Sequence, residues 1–196
     1  MFKRDSKKQK LIRAPSDLVS KLILEARTQG KTLYGYVTEI FEQAVRASEM
    51  NRSLKEVLDT LEVLDVPRKA GAVYLPRDIL DYFVQKTYGE NGEELQRLWF
   101  QAGKWYGIYL RLKFKQPFEA FVKLLQEGEW DFKEVTLNCN DENFELKCVS
   151  AFLSQERTIL LQNFVEAAVC SLGYKLLEKN CFRGIIRLTF SRLNPP

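Results

Sequence analysis

The side chains most suited to molecular recognition lie near the N-terminus, in residues 8 to 15, "KQKLIRAP". Basic and polar residues alternate there with apolar ones for seven positions, and Pro15 ends the run. A period of two is typical of a β-strand. A strand this short and this charged has no evident core to cover, so its role must come from something that it contacts.

The charge of the chain is concentrated in the same region. The net charge is +4, and residues 1 to 50 hold 10 Lys and Arg against 6 Asp and Glu, which leaves 20 of each in residues 51 to 196. Six of the ten basic residues lie between Lys3 and Arg13. Such a local excess indicates an acidic partner, with nucleic acid the first choice, a membrane surface the second, and a solvated tail the alternative without function.

The residue types needed for most catalytic and metal sites are missing or scattered. The 196 residues include no histidine, and the four cysteines, Cys139, Cys148, Cys170 and Cys181, have no CxxC spacing. No nucleophile, base and orienting group assemble, and there is no glycine-rich phosphate loop. We therefore expect no enzyme, no metal and no cofactor, with the cysteines reduced and mostly buried.

The distribution of apolar residues favours a soluble intracellular protein. The composition is that of an ordinary globular chain, 45% hydrophobic and 29% charged, with room for one domain or two small ones. No uninterrupted apolar run is long enough to cross a membrane, and the charged N-terminus lacks the apolar part of a signal peptide. We expect a cytoplasmic location.

Two helices are predicted after the strand. Ser16 or Asp17 is expected to cap a helix over about 17–29, which Gly30 ends, and Thr32 is expected to cap a second helix. The second helix has one broad apolar face, formed by Leu33, Tyr36, Val37, Ile40, Phe41, Ala44 and Val45. A strand and two helices in about 45 residues bury too little surface to be stable alone, so the simplest partner is a second copy.

This segment, residues 8 to 48, resembles the ribbon-helix-helix family of DNA-binding proteins, with "RAP" ending the strand and "QGKT" as the turn. The resemblance implies that two chains pair their strands into a ribbon that enters the major groove. Alignment on Pro15 puts Gln9, Leu11 and Arg13 toward the groove. Arginine suits guanine, glutamine suits adenine, and leucine offers only apolar contact, such as with a thymine methyl group.

The remaining DNA contacts implied by the resemblance are with phosphates. The amides of Thr32, Leu33 and Tyr34 would clamp a phosphate with help from Lys31, and Lys3, Arg4, Lys7 and Lys8 would add attraction to the backbone. Two positions depart from the family: Leu11 replaces a polar residue, and Lys10 lies where an apolar one is usual. A slip of one residue would place Lys8, Lys10 and Ile12 in the groove instead, and an edge strand with no role in DNA binding is a further alternative.

A connecting helix is predicted in residues 51–70, with Ser53 as its cap and its end before Pro67; the domain boundary is expected within it. Beyond it the pattern predicts a short strand in "AVYL", three helices, a hairpin, a helix ending at Gly173, and a closing strand in "CFRGIIRLTF". This order indicates an α+β domain with helices on an antiparallel sheet. The hairpin should pair Val135 with Cys148, Leu137 with Leu146, and Cys139 with Phe144. Gly103 and Gly107 suggest close contact of the long helix with another backbone.

Residues 71 to 191 resemble the V4R family, a small-molecule-binding domain of the 4-vinyl-reductase type related to the trafficking-complex fold. The resemblance is carried by "VYLPRDIL", "LWFQAGKWYGIYL", "EGEWDFKEVTLNCND", "FVEAAVCSLGYKLLEKNC" and the glycine of "FRGIIRLTF". It implies a dimer that holds a hydrophobic effector. Cys170 and Cys181 lie near cysteine positions of the family, but Leu188 stands where a further cysteine is expected. The candidate pocket residues are aromatic: Trp99, Phe100, Trp105, Tyr106 and Tyr109, although aromatic residues at helical spacing are more often core.

Together these features predict a dimeric transcription regulator. Its N-terminal ribbon would bind double-stranded DNA, and its second domain would dimerise and sense a small hydrophobic ligand. The alternative is a protein-interaction scaffold without specific DNA binding.

Overall fold

A computed structural model of the chain describes residues 10–128, 130–140 and 143–193. The chain divides into two compact units, one up to Leu58 and the other from Asp59 onward. The division falls within a helix, inside the segment predicted to connect two domains. The described part is α+β, with six helices and one four-stranded antiparallel sheet.

The first unit contains helices α1 (Ser16–Thr28) and α2 (Leu33–Glu49) and the start of α3 (Leu54–Lys69). The predicted cap of α1 by Ser16 or Asp17 is wrong: the helix follows Pro15 directly, without a side-chain cap. Ser16 already has helical backbone, and a cap residue must lie outside the helix. The end of α1 is confirmed. Gly30 has φ of +65°, and the amide of Lys31 donates to the carbonyl of Ala26 at 2.8 Å.

The starts of α2 and α3 are capped by the predicted residues. The Thr32 hydroxyl accepts from the amide of Gly35 at 3.1 Å. Ser53 and Glu56 form a reciprocal pair: the Ser53 hydroxyl accepts from the Glu56 amide at 3.1 Å, and the Ser53 amide donates to the Glu56 carboxylate at 2.6 Å.

The predicted strand before α1 is not formed within the described part of this single chain. Residues 10–15 have no strand pairing, and positions 8 and 9 lie outside the described residues. A ribbon of two chains would supply its pairing from a second copy, so the ribbon stays a prediction.

The second unit contains the rest of α3, then α4 (Arg77–Lys113), α5 (Pro117–Glu127), β1 (Glu134–Cys139), β2 (Asn143–Val149), α6 (Gln155–Ser171), β3 (Tyr174–Phe182) and β4 (Ile185–Arg192). The expectation that α3 ends before Pro67 is wrong. Val63, Val66 and Pro67 are buried, and this packing holds the helix to Lys69 although Pro67 lacks an amide proton.

Two further predictions around α4 need correction. Residues 72–76 form no strand, because Val73 and Tyr74 remain exposed and Pro76 leads directly into α4. The two helices predicted in this region are one long helix with a bend at Asn91, where the backbone is non-helical. The predicted start of α5 at Pro117 is confirmed.

The sheet order is β1-β2-β4-β3, with every pair antiparallel. All three predicted pairs of the β1–β2 hairpin are confirmed. The prediction of one closing strand is wrong, since the C-terminal segment is a second hairpin, β3–β4. Gly184, with φ of +74°, lies in the turn between β3 and β4 and divides the segment predicted to be one strand.

The core lies between α4, α5, α6 and one face of the sheet. Phe121, Leu124, Leu146, Val165 and Phe190 are all fully buried there. Helix α4 packs closely against α6 at Gly103 and Gly107. A Cβ atom on Gly103 would lie 2.2 Å from the carbonyl oxygen of Phe164, and one on Gly107 would lie 2.4 Å from that of Ala168. The predicted close backbone contact is therefore confirmed.

Candidate nucleic-acid interface

The described part of the basic segment is fully open to solvent. Lys10, Leu11, Ile12 and Arg13 are exposed, and Leu11 is 94% exposed. The other two candidates in this segment, Lys8 and Gln9, lie outside the described residues. Because the described residues cover so little of this leucine, it is a candidate contact for a second molecule.

The predicted phosphate clamp is at the start of α2. Leu33 and Tyr34 occupy the first two positions of the helix, where backbone amides have no acceptor within the helix and the helix dipole is positive. The Tyr34 side chain is exposed, whereas Leu33 is half-buried. The Lys31 amine donates to Glu39 at 2.6 Å, so this charge already has a partner in the free chain. A phosphate would compete with Glu39 for Lys31.

The first unit has almost no core of its own. Among its described residues, 10–58, only Ala26 and Ala47 are buried. Large apolar side chains of α1 and α2 remain exposed, including Leu24, Phe41 and Val45. A depression of about 480 Å³ on α2 is lined by Thr38, Phe41, Glu42, Val45, Arg46 and Glu49. The unit therefore presents an exposed apolar helix face.

The five aromatic residues predicted to line a ligand pocket differ in their environments. Tyr106 is 8% exposed and packs edge-on against Phe164, with ring centres 5.1 Å apart, whereas the neighbouring Trp105 is 70% exposed. Trp99 also packs against Phe164, and Phe100 and Tyr109 are half-buried. Trp99 and Tyr106 thus belong to the packed interior of the unit.

A network of charged side chains lies elsewhere in the second unit. Arg157, 5% exposed, donates to Asp81 at 3.0 Å and to Asp131 at 2.6 Å. Arg77 also donates to Asp131 at 2.6 Å, and its guanidinium lies 4.3 Å from the ring centre of Phe152. The cluster joins the first turns of α4 and α6 to the loop before β1. No sequence pattern indicated it, because Arg157 lies 76 positions from Asp81.

The two arginines of this cluster favour the ionised form of Asp131. Burial alone would raise the pKa of the Asp131 carboxyl, but its hydrogen bonds with Arg77 and Arg157 outweigh burial and lower the pKa. Asp131 also has φ of +60°. The arrangement cross-links three elements of the second unit.

The cysteines differ in environment. Cys148 is fully buried, and burial raises the pKa of its thiol to about 12. Burial also raises the pKa values of Cys170 and Cys181, which are half-buried. Cys139 is exposed, so the prediction of buried thiols does not extend to it. All four are free of disulfides.

A second depression, of about 830 Å³, lies at the bend of α4 and is lined by Tyr88, Gly89, Glu90, Asn91, Gly92, Glu93, Glu94, Gln96 and Arg97. Its polar lining does not suit a hydrophobic effector. Within the described ranges, no three acidic or cysteine side chains come together as a metal site. Nor does any helix there have the length and apolar character to cross a membrane.

Comparison with known proteins gives little support for an assignment. No protein-family model and no curated protein matches the chain. A solved structure from a study of heme distortion in the H-NOX family aligns with 73% of this chain and 90% of its own length, at 14% sequence identity and a TM-score of 0.36. A similarity this low transfers neither fold nor function to this chain.

Proposed function

We propose that the protein is a dimeric DNA-binding transcription regulator, in which the N-terminal segments of two chains pair into a ribbon that enters the major groove. The observation that carries the proposal is the combination of a basic, exposed segment with two helices that lack a core. A second copy would supply both the missing strand and the cover for α2.

The ribbon would read bases through Gln9, Leu11 and Arg13. Arg13 is the strongest determinant, because its guanidinium can donate two hydrogen bonds to one guanine. Leu11 would contact a thymine methyl group. Lys8 and Lys10 would attract phosphates, and the amides of Thr32, Leu33 and Tyr34 would fix the register of the ribbon with Lys31.

The second unit is proposed to strengthen the dimer and to bind a small hydrophobic effector, as the V4R resemblance implies. Support for the effector is limited to the aromatic character of α4. Since Trp99 and Tyr106 pack in the core, an effector would have to move side chains that contact Phe164.

The test of DNA binding is a gel-shift titration of Arg13→Ala. We expect a loss of preference for the specific site of about 1–3 kcal/mol, because the contact to guanine disappears. The matched control is Arg27→Ala, which removes the same charge from an exposed position in α1. If both variants lose affinity equally for all sequences, Arg13 does not read bases.

The second candidate is a protein-interaction scaffold, which the exposed Leu11 favours, because an apolar residue suits a protein surface better than DNA. The salt dependence of binding separates the two candidates. A groove-bound ribbon with several phosphate contacts should show log affinity falling steeply with log salt concentration. A nearly flat dependence would favour the scaffold.

A further inference from the structure

One exposed side of α4 is both apolar and basic. Leu98, Trp105 and Leu112 recur at intervals of seven residues and are all exposed, Leu112 by 81%. Arg97, Lys104 and Arg111 recur at the same interval, each one residue earlier, and are exposed as well. Apolar residues repeated at one heptad position, with charges of one sign at the neighbouring position, are typical of a helix that packs against another helix.

The basic row of α4 is balanced at its first member, because Arg97 forms an ion pair with Glu94 at 2.6 Å, whereas Lys104 and Arg111 lie in a stretch without acidic residues. Residues 95–116 contain five Lys and Arg and no Asp or Glu, although residues 51–196 hold 20 of each sign. The apolar row from Leu98 to Leu112 is about 21 Å long, which is four helical turns. A partner helix that covers this row would gain most if it brought acidic side chains to the basic row.

Helix α3 of the same protein has the complementary character. Between Asp59 and Asp65 it contains three acidic residues and no basic one, and of these Asp65 already forms an ion pair with Lys69. Leu61, in the middle of this stretch, is 64% exposed, whereas Val63 and Val66 are buried in the core of the second unit. The core therefore holds α3 while Leu61 and Glu62 stay available to another molecule.

The acidic helix and the basic helix are neighbours in the second unit, where Val63 and Val66 of α3 belong to the same buried core cluster as Tyr106 and Leu110 of α4. The pKa of Asp65 is lowered mainly by its hydrogen bond with Lys69 and to a smaller extent by the charge of Lys113 on α4. The pKa of Lys69 is raised mainly by its hydrogen bond with Asp65 and to a smaller extent by Tyr109, which is also on α4. An interface with two-fold symmetry requires two complementary patches on each protomer, and α3 and α4 carry one each.

We infer that α4 of one protomer packs against α3 of its partner, and the reverse, in a symmetric contact between the second units. Leu61 and the acidic residues of one protomer would cover the row of Leu98, Trp105 and Leu112 on the other. The inference rests on the dimer of the proposed function and deepens it, since it adds a contact independent of the N-terminal ribbon. A second copy is the chosen occupant because this chain itself carries the matching helix.

The test is a charge swap in the full chain, read by the dimer dissociation constant from sedimentation over a wide concentration range. Lys104→Glu with Arg111→Glu should raise that constant about tenfold or more, because like charges then oppose each other. Adding Asp59→Lys and Glu62→Lys to the same chain should restore dimerisation. The matched control is Lys175→Glu with Arg183→Glu, two exposed changes elsewhere in the unit that should leave the constant unchanged.

The outcomes that overturn the inference are distinct from those that overturn the proposed function. The α3–α4 contact alone is overturned if the charge reversal at Lys104 and Arg111 leaves the dimer dissociation constant unchanged. It is also overturned if adding Asp59→Lys and Glu62→Lys fails to restore dimerisation. A wild-type chain that stays monomeric at every concentration and does not bind DNA overturns both. Flotation with phosphatidylcholine vesicles, with and without phosphatidylserine, tests the other occupant: binding that needs phosphatidylserine and is lost in Trp105→Ser would assign this side of α4 to a membrane.

Discussion

Gly103 and Phe164 bring the backbones of α4 and α6 into direct contact, since a Cβ atom on Gly103 would lie 2.2 Å from the Phe164 carbonyl oxygen. The obstacle is backbone, which cannot rotate aside as a side chain can. The two helices form the centre of the second unit, so their separation determines the packing of the residues around Tyr106 and Phe164.

Gly103→Ala should therefore destabilise the protein by about 1–3 kcal/mol, the usual cost of one extra group in a packed core. Chemical denaturation followed by circular dichroism would measure the change in the free energy of unfolding. The matched control is Gly89→Ala in the same helix, where a Cβ atom meets nothing within 4 Å. Alanine there should be neutral or stabilising by up to about 1 kcal/mol. Equal effects of both changes would contradict the close contact.

Asp131→Asn should reduce the free energy of unfolding by about 1.5–3 kcal/mol, because the buried Arg157 loses a charged acceptor. Asparagine keeps the shape and tolerates the positive φ of this position. Glu94→Gln, which breaks an exposed pair with Arg97, is the control and should cost less than about 1 kcal/mol.

The contribution of Asp131 to the free energy of unfolding should fall at acid pH. The pKa of its carboxyl is lowered from 3.8 in the folded protein, so its contribution is complete above that value and is lost as the pH falls through the lowered pKa. The stability difference between wild type and Asp131→Asn, measured by denaturation at several pH values, should shrink only in the acid range. A difference that shrinks toward neutral pH would contradict the ion cluster.

The cysteines should react in a fixed order with a thiol reagent at mildly alkaline pH. Cys139 is exposed and should react first, whereas Cys148 should react only on unfolding, because burial raises its pKa to about 12 and excludes the reagent. Mass spectrometry of the labelled peptides would identify each site. Cys139→Ser should remove the fast phase, and rapid labelling of Cys148 in the native protein would be inconsistent with the described core.

Phe41→Ser should weaken both dimer formation and DNA binding, since Phe41 is part of the apolar face of α2 that lacks a cover in the single chain. Sedimentation and gel-shift titration on the same samples would measure the two effects. Gln43→Ser, an exposed polar change on the same helix, is the control. Unchanged association in Phe41→Ser would mean that α2 is not the dimer contact.

Local sequence signals predicted the features that depend on near neighbours. The turn at Gly30, the caps by Thr32 and Ser53 and the register of β1 with β2 follow from backbone chemistry within a few residues, and all are present. The glycines at positions 103 and 107 were informative because only a close contact justifies their cost inside a helix.

Features that depend on distant residues were missed or misread. Pro67 stays helical because tertiary packing outweighs its local preference. The cluster around Arg157 joins three separate parts of the chain, so no short pattern could reveal it. Trp105 and Tyr106 are adjacent aromatic residues that were both predicted to line the pocket. Trp105 is exposed, whereas Tyr106 is in the core. The N-terminal ribbon would need a second chain, which a single chain cannot supply.

The most direct measurement of the central claim is the recovery and sequencing of genomic DNA fragments bound by the purified protein, in parallel with Arg13→Ala. A dimeric ribbon predicts that the wild-type fragments share a two-fold repeated site and that Arg13→Ala recovers fragments without it. Fragments without a common site, or the same site recovered equally by Arg13→Ala, would contradict the claim that this protein reads DNA through its N-terminal strand.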